Sequence, residues 1–190
     1  MRVLRRLLPL GLVLIPQLAF AHPGHNNGFT GGLLHPFTGL DHLLAMVAVG
    51  MLAARVKEGR AVWFLPAAFV SALTAGGILG LMKVSFGPVE TVIALSVAVL
   101  GALVALRVSL PLVAGMILVA GFGLFHGLAH GLEAGARPVA FMMGMIISTA
   151  FLHFSGVAFV KRFQNSKIGL WAIRAVGSGM VAAGIFFLMG

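Results

Sequence analysis

Six apolar runs, each close to the length that crosses a bilayer, follow one another along this chain. They cover 32–54, 61–82, 88–106, 111–132, 138–160 and 168–189, and the breaks between them are short. About 20 residues of helix span a hydrocarbon core. Inside lipid, a helix satisfies every backbone polar group within its own segment. The runs therefore predict an all-α polytopic membrane protein with six transmembrane helices and no separate soluble domain. Composition agrees: 60% of residues are hydrophobic and only 9% are charged, against roughly a quarter charged in soluble domains.

The first 21 residues read as a secretory signal peptide. Arg2, Arg5 and Arg6 form a basic start, Leu7 to Leu18 a short apolar stretch, and Ala19-Phe20-Ala21 a small-x-small cleavage site. Cleavage there predicts a leader over 22–31, beginning at His22, and a six-helix membrane domain over 32–190. The competing reading is an uncleaved signal anchor. Lys and Arg set the orientation. The first, third and fifth breaks hold seven of them (Arg55, Lys57, Arg60, Arg107, Lys161, Arg162, Lys167), and the second and fourth hold two (Lys83, Arg137). Positive loops stay in the cytoplasm, so the mature N-terminus faces the periplasm across a bacterial inner membrane. The net charge of +9 is thus topological, and nucleic acid is not an implied partner. The bilayer is, and a homo-oligomer is compatible with the sequence.

Against this apolar background the polar residues stand out. His35, Asp41 and His42 fall in the first run, and His126, His130 and Glu133 in the fourth. Ionisable groups at membrane depth are costly and mark functional paths. There is no cysteine, which excludes disulfides and thiolate metal sites. Imidazole with carboxylate suits a borderline divalent cation such as nickel, cobalt or zinc. His126, His130 and Glu133, spaced i, i+4 and i+7, share one helical face. His35 and His42 also share a face on a regular helix, but Pro36 and Gly39 lie between them. Proline removes a backbone donor and glycine permits unwinding, so the first helix is predicted to be broken, which would re-aim Asp41. Depths counted along straight helices place all of these residues in the outer half of the membrane or at its midplane.

Four further residues compete with ordinary structural roles. Glu90 follows Pro88 in a first helical turn, where a carboxylate also suits the helix dipole. His153 stands alone in the fifth run with Thr149 one turn earlier, as an exit-side ligand or a core residue bonded to that threonine. His22 and His25 join the free amine as a chelate or form a polar leader. Asp41 can cap a helix and still orient a ligand.

Two segments together resemble the HupE/UreJ nickel/cobalt permeases. His35-Pro36-Phe37-Thr38-Gly39-Leu40-Asp41-His42 matches an HPxxGxDH signature, and Phe125-His126-Gly127-Leu128-Ala129-His130-Gly131-Leu132-Glu133 matches FHGxAHGxE. Glu90, followed by Ile93-Ala94-Leu95-Ser96, is similar to the family's third helix. The resemblance implies secondary uptake of Ni²⁺ or Co²⁺ with no bound cofactor and no enzymatic activity. It carries over to His35, Asp41, His42, His126, His130 and Glu133. No phosphate-binding G-x-x-x-x-G-K-[ST] loop occurs. The rival readings are a membrane haem protein using paired histidines, a metal sensor or assembly subunit, and an intramembrane metallohydrolase, which lacks its HExxH order.

Overall fold

The computed structural model describes residues 28–190 apart from 85. The signal segment, His22 and His25 lie outside the described residues. Seven helices follow in order: α1 (Phe29–Thr38), α2 (Leu40–Ala53), α3 (Ala61–Leu81), α4 (Val89–Ala105), α5 (Leu112–Glu133), α6 (Pro138–Phe163) and α7 (Lys167–Met189). No strand occurs among the described residues. The bounds of α3 to α7 lie within three residues of the apolar runs. Four helices, α3, α5, α6 and α7, are long and apolar enough to cross a membrane, and the bent α1–α2 pair makes a fifth candidate. The apolar α4 has 17 residues, about 26 Å at 1.5 Å per residue.

The first run departs most from a simple span. α1 and α2 meet at 85°. Both Pro36 and Gly39 were candidate break points. Pro36 lies inside α1, and the chain turns at Gly39, which is extended (φ −98°, ψ 114°). Local side chains seal both cut ends. Thr38 Oγ1 donates to the His35 carbonyl at 2.8 Å, and the His42 backbone N–H donates to Asp41 Oδ1 at 2.8 Å. Those are groups a helix terminus otherwise leaves unpaired. With an elbow here, depth cannot be counted along one axis from His35 to His42, which corrects the straight-helix placement.

Glycine seams hold the bundle together. Gly76, Gly77 and Gly80 of α3 face Gly123, Gly127 and Gly131 of α5. A Cβ on Gly127 would collide with the Leu73 carbonyl, and one on Gly131 with that of Gly77. Gly76 and Gly80 on α3, and Gly123 and Gly127 on α5, stand at the small-xxx-small spacing that lets helices approach closely. Matching residues rise together, so α3 and α5 run parallel. In the α4–α7 pair, Gly101 packs on Met180 while Gly184 packs on Ala98, so those two run antiparallel. α6 lies along the elbow, with Gly144 against the Phe29 carbonyl and Gly156 against that of Val47.

Polar ties mark the two ends. Arg55 Nη2 donates to the Arg107 carbonyl at 3.0 Å and Ser109 Oγ to that of Arg55 at 3.2 Å, joining the α2–α3 and α4–α5 loops. Lys83 Nζ donates to the Leu132 carbonyl at 3.3 Å at the opposite end. The perimeter stays apolar: Trp63, Ile117, Phe151, Ile168 and Trp171 are all exposed, as suits a lipid-facing surface.

Candidate metal site

Three elements deliver polar side chains to one end of the bundle. α1 carries His35 in its last turn, α2 carries Asp41 and His42 in its first, and α5 carries His126, His130 and Glu133 in its last two turns or so. The elbow brings the His35 and His42 rings to 6.1 Å, centroid to centroid, although they stand on different helices. His130 sits between them, 4.7 Å from His35 and 4.5 Å from His42. His126, one turn further along α5, lies 5.0 Å from His42.

At the mouth, ligand atoms of His35, His130 and Glu133 all lie within 4.8 Å of one another. Glu133 Oε2 is 3.8 Å from His35 Nε2. A divalent ion with ligands at roughly 2.0–2.2 Å needs its donors about 3–3.5 Å apart. Small side-chain rotations would close this group on an ion. Glu133 is exposed while His130 is fully buried, so the group leads from the surface inward.

Deeper in, two imidazoles are held in one working orientation. His126 Nδ1 lies 3.0 Å from the Phe122 carbonyl oxygen. A carbonyl oxygen only accepts, so that nitrogen carries the proton. His42 Nδ1 lies 2.8 Å from Asp41 Oδ1, and an ionised carboxylate imposes the same tautomer. Nε2 is then the lone-pair nitrogen of both rings, and both Nε2 atoms are buried without a side-chain or backbone partner. Metal-binding histidines are commonly fixed in this way, with the second nitrogen donating to a carboxylate or carbonyl. Asp41 therefore acts first on His42, through Oδ1. It also lines a cavity of about 620 Å³ at the elbow, together with Glu90, Thr38, Gly39 and the C-terminal Phe186 and Phe187. Glu90 joins Asp41 there and stands outside the His35–His130–Glu133 group.

Six imidazole nitrogens, on His42, His126, His130 and His153, are buried with no hydrogen-bond partner. Each unsatisfied polar group costs about 1–3 kcal/mol. In a chain with ample apolar side chains, that cost marks a demand other than packing. His153 is not bonded to Thr149. The Thr149 hydroxyl donates instead to Met46 Sδ at 3.3 Å, and the His153 ring packs edge-on against Phe69 at 5.0 Å. Phe69 also lies 5.5 Å from His126. Sequence reasoning missed Phe69, because one aromatic ring in an apolar helix carries no polar signal.

The family model described as HupE / UreJ protein matches residues 10–187. Protein HupE of Rhizobium leguminosarum bv. viciae is 41% identical over 184 residues, covering 95% of each chain. No solved structure matches significantly.

Proposed function

Since the chain belongs to the HupE/UreJ family of nickel/cobalt permeases, we propose that it imports a divalent transition-metal cation, Ni²⁺ first and Co²⁺ next, from periplasm to cytoplasm. The metal is cargo. Six crossings, with α1–α2 as the first and α4 as the third, and a cleaved signal at 1–21 complete the topology. The observation that carries the proposal is the pair of bare, buried Nε2 atoms on His42 and His126, each fixed by an Nδ1 contact.

Hydrated cation meets Glu133, His35 and His130 at the mouth, where exchange of water for nitrogen and oxygen donors begins. Asp41 and Glu90 hold negative charge in the adjoining cavity and favour a cation there. His42 and His126 then take the ion, and it leaves toward the basic end. Ligands along such a path must strip water yet release their ion. An inward-negative potential assists, by about 4.6 kcal/mol per 100 mV for two charges at 2.3 each. Nitrogen and oxygen donors also accept Zn²⁺, so competition assays rank the metals. The His42 ring packs directly on His126 and His130, which is unlike a slot for a porphyrin plane.

The test is radiometal uptake in cells lacking their own high-affinity nickel transport. H42A and H126A each reduce Ni²⁺ or Co²⁺ accumulation to background at unchanged membrane abundance. Wild-type uptake by both variants would refute the central pair.

A further inference from the structure

We propose that His153 is a second, inward binding station for the divalent cation, on the far side of the Phe69 ring from His126. The proposal rests on the transport reading above and extends the path beyond it.

The rings form an unbroken ladder. His35 stands 4.7 Å from His130, His130 stands 4.5 Å from His42, and His42 stands 5.0 Å from His126. Phe69 is next, 5.5 Å from His126, and then His153, 5.0 Å from Phe69. Phe69 is the one rung without a ligand atom, and it divides the ladder into an outer group and His153. Both Phe69 and His153 are fully buried.

The ladder also descends. His35 packs on Phe141 at 5.3 Å near the start of α6. His153 lies twelve residues further along the same helix, about 18 Å at 1.5 Å per residue. Lys161, at the basic end, is eight residues beyond that. His153 thus stands between the outer group and the end toward which the cation moves.

Its surroundings hold the station in place and leave its nitrogens available. A Cβ on Gly50 would collide with the His153 carbonyl, so α2 and α6 pack backbone to backbone at this level. Both ring nitrogens of His153 lack a partner. Thr149, four residues earlier, shares its helical face and adds a hydroxyl oxygen. A residue kept for packing would be apolar here, as Met145 and Leu152 are. Conduction through a narrow path works by successive sites, each weak enough to pass the ion on.

The experiment uses the full chain reconstituted in proteoliposomes, with initial rates of Ni²⁺ and Co²⁺ entry measured against metal concentration. H153F keeps an aromatic ring of similar volume and removes both nitrogens. The expected result is a maximal rate lowered about tenfold or more, with the half-saturating concentration unchanged within about twofold, since the outer ligands remain. A wild-type maximal rate in H153F overturns the station. A raised half-saturating concentration at an unchanged maximal rate also overturns it, by assigning His153 to the outer group. If H153F lowers the thermal midpoint of the purified protein, H153L, which likewise carries no donor atom, carries the same test. Failure of the wild-type protein itself to admit either metal would strike the transport reading, a separate outcome.

Discussion

The α1–α2 elbow and the α3–α5 seam solve opposite problems with the same residue type. In the seam, glycines remove side chains so that two regular parallel helices meet backbone to backbone. At the elbow, Gly39 sits between two short helices crossing at 85°, and the freed termini are sealed by Thr38 and Asp41. The seam gives rigidity and carries no chemistry on its α3 side beyond Phe69. The elbow gives up helical continuity and gains convergence: His35 and His42 reach the α5 histidines from two directions. His126 and His130 belong to both regions, since they stand on a seam helix and face the elbow. The site is therefore built on one fixed wall and one assembled wall, and substitutions in the two should fail differently.

The largest expected effect is in the fixed wall. A Cβ at Gly127 meets the Leu73 carbonyl and the Gly77 backbone nitrogen, neither of which can rotate away. G127L should force α3 and α5 apart and, because Gly127 adjoins His126, abolish folded protein and uptake together. Overpacking that side chains can absorb costs about 1–3 kcal/mol, and a collision with backbone exceeds that. Membrane abundance and a monodisperse size-exclusion profile check it. A G127L protein with wild-type yield and thermal midpoint would break the contrast, since the seam would then be no more demanding than the elbow.

A smaller effect is expected in the assembled wall. D41N keeps an oxygen that accepts from the His42 backbone N–H and ring Nδ1–H, and it removes only the charge. Loss of an orienting carboxylate behind a metal-binding histidine typically lowers affinity by about 10- to 100-fold. D41N should therefore raise the half-saturating Ni²⁺ concentration for uptake by about tenfold while thermal stability stays near wild type. A stability loss with unaltered half-saturation would recast Asp41 as a helix-terminus residue alone.

How much of this was legible in the sequence follows the same division. Apolar runs located α3 to α7 within three residues, because in lipid hydrophobicity and helix coincide. The i, i+4, i+7 spacing put His126, His130 and Glu133 on one face, and α5 is regular enough for that arithmetic to hold. The elbow was legible only as a break. Pro36 and Gly39 were both candidates, and the choice depended on which residue leaves the following turn a carboxylate for its free amide. α1 and α2 both pack on α6, through Gly144 and Gly156, and contacts so distant in sequence leave no local pattern from which the 85° angle could be read. Phe69 fell outside the reading, and His153 was left between an exit-side ligand and a core residue, for a related reason: their meeting joins α6 to α3, two helices far apart in sequence. Glu90 was read as a first-turn carboxylate after Pro88, and that position does not say which side of the elbow it faces.

The smallest expected effect isolates the elbow's own geometry. Gly39 has φ −98° and ψ 114°, a conformation alanine adopts freely, so G39A introduces no backbone strain. The added methyl would lie 3.0 Å from Asp41 Oδ1 and 3.1 Å from His42 Nδ1, tight enough to move that pair by a few tenths of an ångström. Binding constellations tolerate displacements up to about 0.5 Å before they fail. G39A should therefore keep the wild-type thermal midpoint and raise the half-saturating metal concentration about two- to fivefold, less than D41N. Combined with D41N, it should add little, because both act on the orientation of one imidazole and residues in direct contact do not behave additively. Full additivity in the double variant would mean that Gly39 acts on His35 and the mouth instead, and that the assembled wall divides at the elbow rather than being held by it.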